Sequence, residues 1–506
     1  MLSGFFLAMK MPSAAEPMAR TNNNLTGASM QSDNASKFYI DGQWVMPGGA
    51  GRMDVVNPAT EQSFMQIAIG TTEDADLAVQ AAFEAFPTFS QTSRTERVEL
   101  LRNVLRCYND RYDDIARAVS TELGAPLKFA REAQAWAGQI HLESTIAALE
   151  AFSFDELHGS SMITWEPIGV CALITPWNWP LNQIVCKVAP ALAAGCTVVL
   201  KPSELAPLSA IIFAEVLEEA AIPKGVFNLI NGTGPEVGQY LAGHPRVDMV
   251  SFTGSTRAGI MVAKTAAETV KRVAQELGGK SANIVLADAD LENAVVKGVE
   301  ACFSNSGQSC DAPTRLLIPA DRHAEALDIA RRVAAATRVG DPSSEDTDMG
   351  PVISQQQFDK IQRMIGLGIE EGATLVAGGP GKPEGLDVGF YVKPTIFGGV
   401  TPEMTIAREE IFGPVLSIIP YDTEADAIRI ANDSIYGLAA YVQGGSLEGA
   451  RAVARKLQAG SVYVNYAPWD THAPFGGYKQ SGNGREYSHW GIRDFMEVKG
   501  IVGWGA

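Results

Sequence analysis

Gly169-Val170-Cys171-Ala172-Leu173-Ile174 runs straight into Thr175-Pro176-Trp177-Asn178-Trp179-Pro180, and the junction between the two decides the fold. The first stretch is an unbroken apolar run bounded by turn residues, the pattern of a strand buried on both faces. Such a strand needs helices on either side, and the chain supplies them. A helical period over 181–194 is followed by a strand at 197–200, a helix at 209–221 and a strand at 226–230. A helix at 235–242, a strand at 249–252, a helix at 254–268 and a strand at 272–276 continue the rhythm. Alternation of this kind makes a parallel, doubly wound sheet, and its ligands lie beyond the carboxyl ends of the strands. Residues at those ends are therefore the first candidates for a site.

Working outward, 38–44 reads as strand, Asp41-Gly42 turn and strand. Long amphipathic helices follow at 73–86, 92–112, 113–123 and 127–152, for which packing is the best reading. Downstream of 283 a second α/β alternation runs to about 477, with strands at 282–286, 315–318, 374–377, 415–421, 439–442 and 461–465. Two short, partly alternating strands, 156–166 and 495–502, fit neither half. The expected fold class is α/β: two doubly wound α/β domains plus a small β flap.

A chain of 506 residues is too long for one ordinary core, so at least two domains are expected. Acidic residues number 58 against 40 basic ones, which excludes the basic surface that a nucleic-acid or anionic-membrane binder needs. No apolar run is long enough to span a bilayer, and the patch Phe5-Phe6-Leu7-Ala8-Met9 has no positive segment ahead of it, so no secretory signal is expected. The six cysteines form no CxxC pair and read as reduced thiols of a cytoplasmic protein. No HExxH or comparable ligand spacing exists, so no metal site is expected.

The chemistry centres on Phe303-Ser304-Asn305-Ser306-Gly307-Gln308-Ser309-Cys310, just past a helical pattern over 291–303. A lone cysteine is usually a small buried hydrophobe. Here the flanking Asn, Gly, Gln and Ser are poor core material, which favours a reactive thiol in a loop. The segment, FxNxGQxC, resembles the nucleophile signature of the aldehyde dehydrogenase superfamily, and further motifs in that family's order extend the resemblance from about residue 38 to 502. Asp311, directly after Cys310, departs from the small or apolar residue expected there; it either raises the thiol's pKa by repulsion or points away.

The resemblance gives roles to the other strand ends. Asn178 matches the oxyanion-hole donor that works with the Cys310 backbone N–H; by itself an Asn between aromatics is a turn residue, but its place at a strand's carboxyl end favours the functional role. Thr175, Pro176 and Trp177 fall to the cofactor side of that strand end. Lys201, Ser203 and Glu204 end the next strand. There Lys201 can donate to ribose hydroxyls, and a Glu204 carboxylate repels a 2′-phosphate, which favours NAD, with NADP as the alternative. Gly234 and Gly238 lie in a Gly-rich turn with one residue too many for the dinucleotide fingerprint. Phe252, Thr253, Gly254 and Ser255 form a second turn, at a helix start whose N–H groups can hold a pyrophosphate. Glu276 matches the base that activates water, its pKa raised by partial desolvation, with Leu277 and Gly278 beside the cofactor. Glu410 matches the acceptor for the nicotinamide ribose, Phe412 that ring's aromatic wall, and the Gly-rich stretch 474–482 a loop that closes the site.

What the resemblance implies is NAD(P)-dependent oxidation of an aldehyde to the carboxylic acid through a cysteine thiohemiacetal and thioester, with the Cys310 thiolate favoured by local dipoles and bound cofactor. The implied domains are an NAD-binding, Rossmann-like domain (37–150 and 171–282), a catalytic domain (283–484), oligomerisation strands (151–170 and 485–506) that make a homodimer or tetramer, and a disordered N-terminal extension (1–36). Trp177, Trp179 and Trp469 point to an apolar tunnel for a medium-chain aliphatic or aromatic aldehyde. The alternatives are a CoA-acylating or semialdehyde dehydrogenase of the same fold, or a catalytically silent structural protein.

Overall fold

The structure is a computed structural model that describes residues 32–505. Strands β1 (Phe38–Ile40) and β2 (Gln43–Val45) meet at Asp41 and Gly42, both at positive φ. A hairpin of β3 (Arg52–Asn57) and β4 (Gln62–Ala68) stands apart from both large sheets. It escapes the sequence reading because its exposed and buried residues do not alternate cleanly. Helices Thr72–Phe89 and Arg94–Asp110 each open with a capping box, Thr71 with Asp74 and Ser93 with Glu96. The helix expected over 127–152 is not continuous: a π-helix at Ala130–Ala135 divides it before Trp136–Ala151. This wider turn places Gln134, whose amide reaches the Asn178 carbonyl at 3.1 Å and Asn305 Oδ1 at 3.2 Å.

The segment read as one strand over 156–166 is a hairpin of β5 (Asp155–His158) and β6 (Ser161–Pro167) that turns at Gly159, φ 62°. Then come β7 (Val170–Ile174), β8 (Thr197–Lys201), β9 (Phe227–Leu229), β10 (Met249–Thr253) and β11 (Arg272–Glu276). These five are parallel, in the order β11-β10-β7-β8-β9, with β1 and β2 added antiparallel at the edge. The chain leaves β7 toward β8 and later returns to its other side at β10, so the strand order reverses between β7 and β10. The helix between β7 and β8, Pro180–Ala194, is buried along its whole length; it starts on Pro180 and stops at Gly195, φ 96°.

The second sheet holds β12 (Ala282–Val285), β13 (Arg315–Pro319), β14 (Thr374–Ala377), β15 (Thr395–Gly398), β16 (Val415–Tyr421), β17 (Ala439–Gln443) and β18 (Ser461–Val464). Its order is β14-β15-β16-β13-β12-β17-β18, parallel except for β14. The sequence reading lacks β15, a four-residue strand ending in glycine, yet β15 is what joins β14 to the rest. Finally β19 (Met496–Ile501) pairs with β6, and with β5 they make a three-stranded sheet. Its surface exposes Leu157, Val498, Ile501 and, beyond the strand, Val502 and Trp504. The disorder expected over 1–36 falls mostly outside the described residues. At its end the chain is tied down: Ser32 Oγ donates to Glu215 at 2.7 Å, and Asn34 Nδ2 to the same carboxylate at 3.0 Å.

Candidate active site

The crevice where the strand order reverses carries unspent hydrogen-bonding capacity. Thr175 and Thr253 follow or end β7 and β10; both hydroxyls are buried without a partner in the protein, as are both side-chain atoms of Asn231. The Thr175 N–H donates to the Lys201 carbonyl at 3.1 Å. Lys201 is buried, and burial lowers its pKa while Glu204 opposes the change; Nζ donates to the Pro202 carbonyl at 2.9 Å and to Glu204 at 3.1 Å. Gly238 lies against Lys201, since a Cβ there would be 3.7 Å from Lys201 Cδ, whereas Gly234 faces open space. Gly234–Gly238 forms a π-helix opened by Thr233, so the extra residue in this turn widens a helix start instead of making a Rossmann turn. The Ser203 hydroxyl accepts from the Leu205 N–H at 3.3 Å. Ser255 caps helix Thr256–Ala266 by accepting from Ala258 N–H at 3.3 Å, and the Phe252 ring lies over Gly254. Buried hydroxyls and amides without partners are rare in proteins, and here they gather at a topological switch point, so the crevice fits a long polar ligand such as a dinucleotide.

From the second domain, Glu410 Oε1 accepts the Gly279 N–H at 2.9 Å; burial raises this carboxyl's pKa. A Cβ at Gly278 would stand 2.5 Å from Glu410 Oε2, so only glycine admits the carboxylate. Phe412, held at φ 61°, meets Trp177 edge to face at 5.4 Å. Trp177 therefore borders the crevice beside half-buried Pro176. The late loop clamps the same turn: Leu277 N–H donates to Ser481 O at 2.9 Å, and Ser481 Oγ to Gly278 O at 2.6 Å.

The nucleophile loop is built by its own polar residues. Helix Leu291–Phe303 ends, and Asn305 and Ser306 take left-handed backbone at φ 52° and 56°. Such strain persists where surrounding bonds over-determine it. Asn305 Nδ2 donates to Asn178 O at 2.9 Å, Ser306 Oγ to Gly350 O at 2.9 Å, and Gln308 Oε1 accepts the Ile353 N–H at 3.0 Å. Gly307 abuts the Gly413 and Pro414 backbone so closely that any side chain would overlap it. Asn178, 3% exposed, donates Nδ2 at 3.0 Å to Gln308 O, two residues before the nucleophile, and an amide nitrogen carries a second hydrogen.

Cys310 is half-buried. Its thiol is pushed well above its ordinary pKa by burial first, then by Asp311, Glu410 and Glu276. Burial first, and then the acids the loop faces, thus disfavour the thiolate in the coenzyme-free protein. Asp311 takes the repulsive alternative. Glu276 ends β11 only 3% exposed, with neither carboxylate oxygen bonded. Burial raises it well above the ordinary carboxyl range, Glu486 raises it further, and Lys187 and Arg485 oppose. The base turn and nucleophile loop are in backbone contact: a Cβ on Gly279 would overlap the Cys310 carbonyl oxygen. Glycines 476 and 484 press on the base, their would-be Cβ atoms 2.7 and 3.3 Å from Glu276 Oε1.

Several neighbours escaped the sequence reading. Lys187 and Glu486 form a buried ion pair beside Glu276, and Cys186 Sγ contacts the same carboxylate at 3.3 Å. A lysine inside the apolar helical pattern 181–194 was the available signal. Cys310 and Trp469 both pack against a small buried cluster of Cys186, Leu438, Phe475 and Tyr487. Trp469 meets Trp136 at 5.6 Å and Tyr487 at 5.5 Å, and Trp179 donates Nε1 to Ser309 Oγ at 2.8 Å. His141, remote in sequence, packs on Trp469 and Tyr487; burial pushes its pKa down to about 4, so the wall it forms is neutral.

The sequence profile of the aldehyde dehydrogenase family matches residues 44–501. A 3-succinoylsemialdehyde-pyridine dehydrogenase from a Pseudomonas species is 55% identical over 469 residues, covering 92% of this chain and 98% of that protein. Among solved structures, aldehyde dehydrogenase C of Pseudomonas syringae, a cysteine-to-alanine mutant with NAD+ and octanal, is 52% identical at TM-score 0.93, covering 94% of this chain and 98% of that one. Betaine aldehyde dehydrogenase of Staphylococcus aureus with NAD+ is 36% identical at TM-score 0.90, covering 93% and 95%.

Proposed function

The chain belongs to the aldehyde dehydrogenase family, and from that premise we propose that it oxidises an aldehyde to its carboxylic acid with NAD through a covalent intermediate on Cys310. The observation that carries this reading is the contact of the Gly279 turn with the Cys310 carbonyl, which sets an unpaired, buried Glu276 beside a half-buried thiol. The Cys310 thiol releases its proton to water, its sulfur adds to the aldehyde carbon, and the carbonyl electrons move to oxygen, giving a thiohemiacetal. The Asn178 amide and the Cys310 N–H then donate to that oxyanion. Thr175, Lys201, Thr253, Gly278, Glu410 and Phe412 would hold NAD, which when bound would accept the hydride whose loss turns the thiohemiacetal into a thioester. Glu276 takes a proton from water, whose oxygen attacks the thioester carbon, and Cys310 departs as thiolate with release of the acid. A carboxyl held high by burial matches a base that must hold and return a proton near neutrality.

The aromatic shell of Trp136, Trp179, Trp469, Phe475 and Tyr487 supports a medium-chain aliphatic or aromatic aldehyde as substrate. The octanal in one relative agrees with it, while the pyridine-bearing semialdehyde in another's name agrees in its aromatic ring and supports the semialdehyde alternative. The Glu204 carboxylate beside Lys201 supports NAD over NADP. The exposed apolar residues of the β19-β6-β5 sheet support a homodimer or tetramer, and the cysteine usage a cytoplasmic location. No helix among the described residues is long and apolar enough to cross a membrane.

The deciding experiment follows NADH absorbance with an aldehyde panel graded in length and charge, with NADP and CoA as further arms. Turnover of medium-chain or aromatic aldehydes with NAD, giving free acid, is the expected result. Acyl-CoA formation, preference for NADP, or no turnover at all overturns the corresponding part, and a monomeric mass by light scattering overturns the oligomer.

A further inference from the structure

We propose, resting on the reading that Cys310 receives an aldehyde, that the Asp311 carboxylate selects substrates by charge, favouring aldehydes that carry a cationic group and rejecting those that carry a carboxylate. Asp311 follows the nucleophile in the turn, and its backbone carbonyl is pinned by the Tyr441 hydroxyl at 3.1 Å. Tyr441 in turn stacks on Tyr463, centroids 5.0 Å apart and 16° from parallel. Asp311 is partly exposed, as are its neighbours Cys310 and Ser309, and so are Trp179, which bonds Ser309, and Trp469, which packs on the same cluster as Cys310.

Around the nucleophile, Cys310, Tyr463 and the buried Tyr441 and Tyr487 are held in their protonated forms by burial first, and the nearby Asp311 carboxylate adds to this as a like charge. Burial raises the carboxyl's own pKa, and its own backbone N–H favours the charged form. Among the described residues no ion pair involves Asp311; Lys187 is committed to Glu486, and His141 in the wall is neutral. An acid without a cation in an aromatic chamber projects its field onto whatever enters, because little solvent screens it. The ring faces add to the same preference, since their quadrupoles attract cations. A carboxylate substrate would be desolvated beside a like charge, a repulsive element that discriminates without any new attractive contact.

The test compares kcat/KM for three aldehydes on one ring: 4-methylbenzaldehyde, 4-(trimethylammonio)benzaldehyde and 4-carboxybenzaldehyde. The readout is the cationic-to-anionic ratio in wild type divided by that ratio in Asp311→Asn. Taking this double ratio cancels both the substituents' effect on carbonyl reactivity and the variant's effect on the Cys310 thiol. A fall of about tenfold or more in Asp311→Asn is expected from one charge at cleft distances, with the ratio restored in Asp311→Glu. Where Asp311→Asn does not fold, Asp311→Ser carries the comparison. An unchanged ratio while the neutral aldehyde is still oxidised overturns the charge filter alone. If wild type oxidises none of the three with NAD or NADP, the catalytic reading fails and the filter falls with it.

Discussion

Replacing Glu276 by glutamine separates the two chemical halves of the reaction. The carboxyl is 3% exposed, has no hydrogen-bond partner on either oxygen and touches the space that side chains at 476 or 484 would fill. The isosteric amide therefore fits the same hole but cannot take a proton from water. Losing a positioned general base costs about 10²–10⁴-fold in rate, which is roughly 3–5 kcal/mol of barrier at ~1.36 kcal/mol per decade. The loss falls on hydrolysis of the thioester and not on its formation. Rapid-mixing absorbance should therefore show a burst of NADH near one equivalent per Cys310, followed by a steady rate lower by about two orders of magnitude or more.

Stability gives a second, independent readout. The folded-state pKa of Glu276 is raised above its unfolded value, so its contribution to stability is full below the unfolded pKa and is lost as pH rises through the folded one. Glu276→Gln removes that loss. Its Tm relative to wild type should rise between acidic and alkaline pH. An unchanged steady rate, or a burst that disappears with it, refutes the assignment; the latter would place Glu276 before hydride transfer, as activator of the thiol.

Other perturbations address the rest of the site. Asn178→Ala removes one oxyanion donor and should lower kcat by about 10²–10³-fold; an effect confined to KM would contradict the role. Burial and neighbouring acids hold the Cys310 thiol high, so its alkylation by iodoacetamide in the coenzyme-free protein should keep accelerating past pH 9, the ordinary thiol value, instead of levelling near it. Mass spectrometry of the labelled peptide gives that profile, and a plateau at neutral pH would show a thiolate the protein itself stabilises. Gly476→Ala puts a methyl 2.7 Å from Glu276 Oε1 at φ 153°, a strained backbone for alanine. It should cost about 1–3 kcal/mol, seen as a lower denaturation midpoint, and it should slow the steady state more than the NADH burst.

The run from Gly169 to Ile174 and the alternation after it fix a doubly wound α/β fold in the sequence alone, because strands buried on both faces are written as continuous apolar residues. The Cys310 loop is equally legible, since within FxNxGQxC Asn305 and Gly307 turn the chain and Asn305 and Gln308 bond the loop's own backbone. Local pattern says nothing, however, of β15, whose four residues become a strand only between β14 and β16, or of the π turn before Trp136. It is silent too on which tryptophan lines which chamber: Trp177 and Trp179, two residues apart, face Phe412 and Ser309 respectively. Charge is the sharpest divide. The identity of an acid is in the sequence, but its proton affinity depends on what lies across space from it. Lys187, Glu276 and Glu486 come from three distant segments, and only their packing together in the interior raises the proton affinity of Glu276 and Lys187.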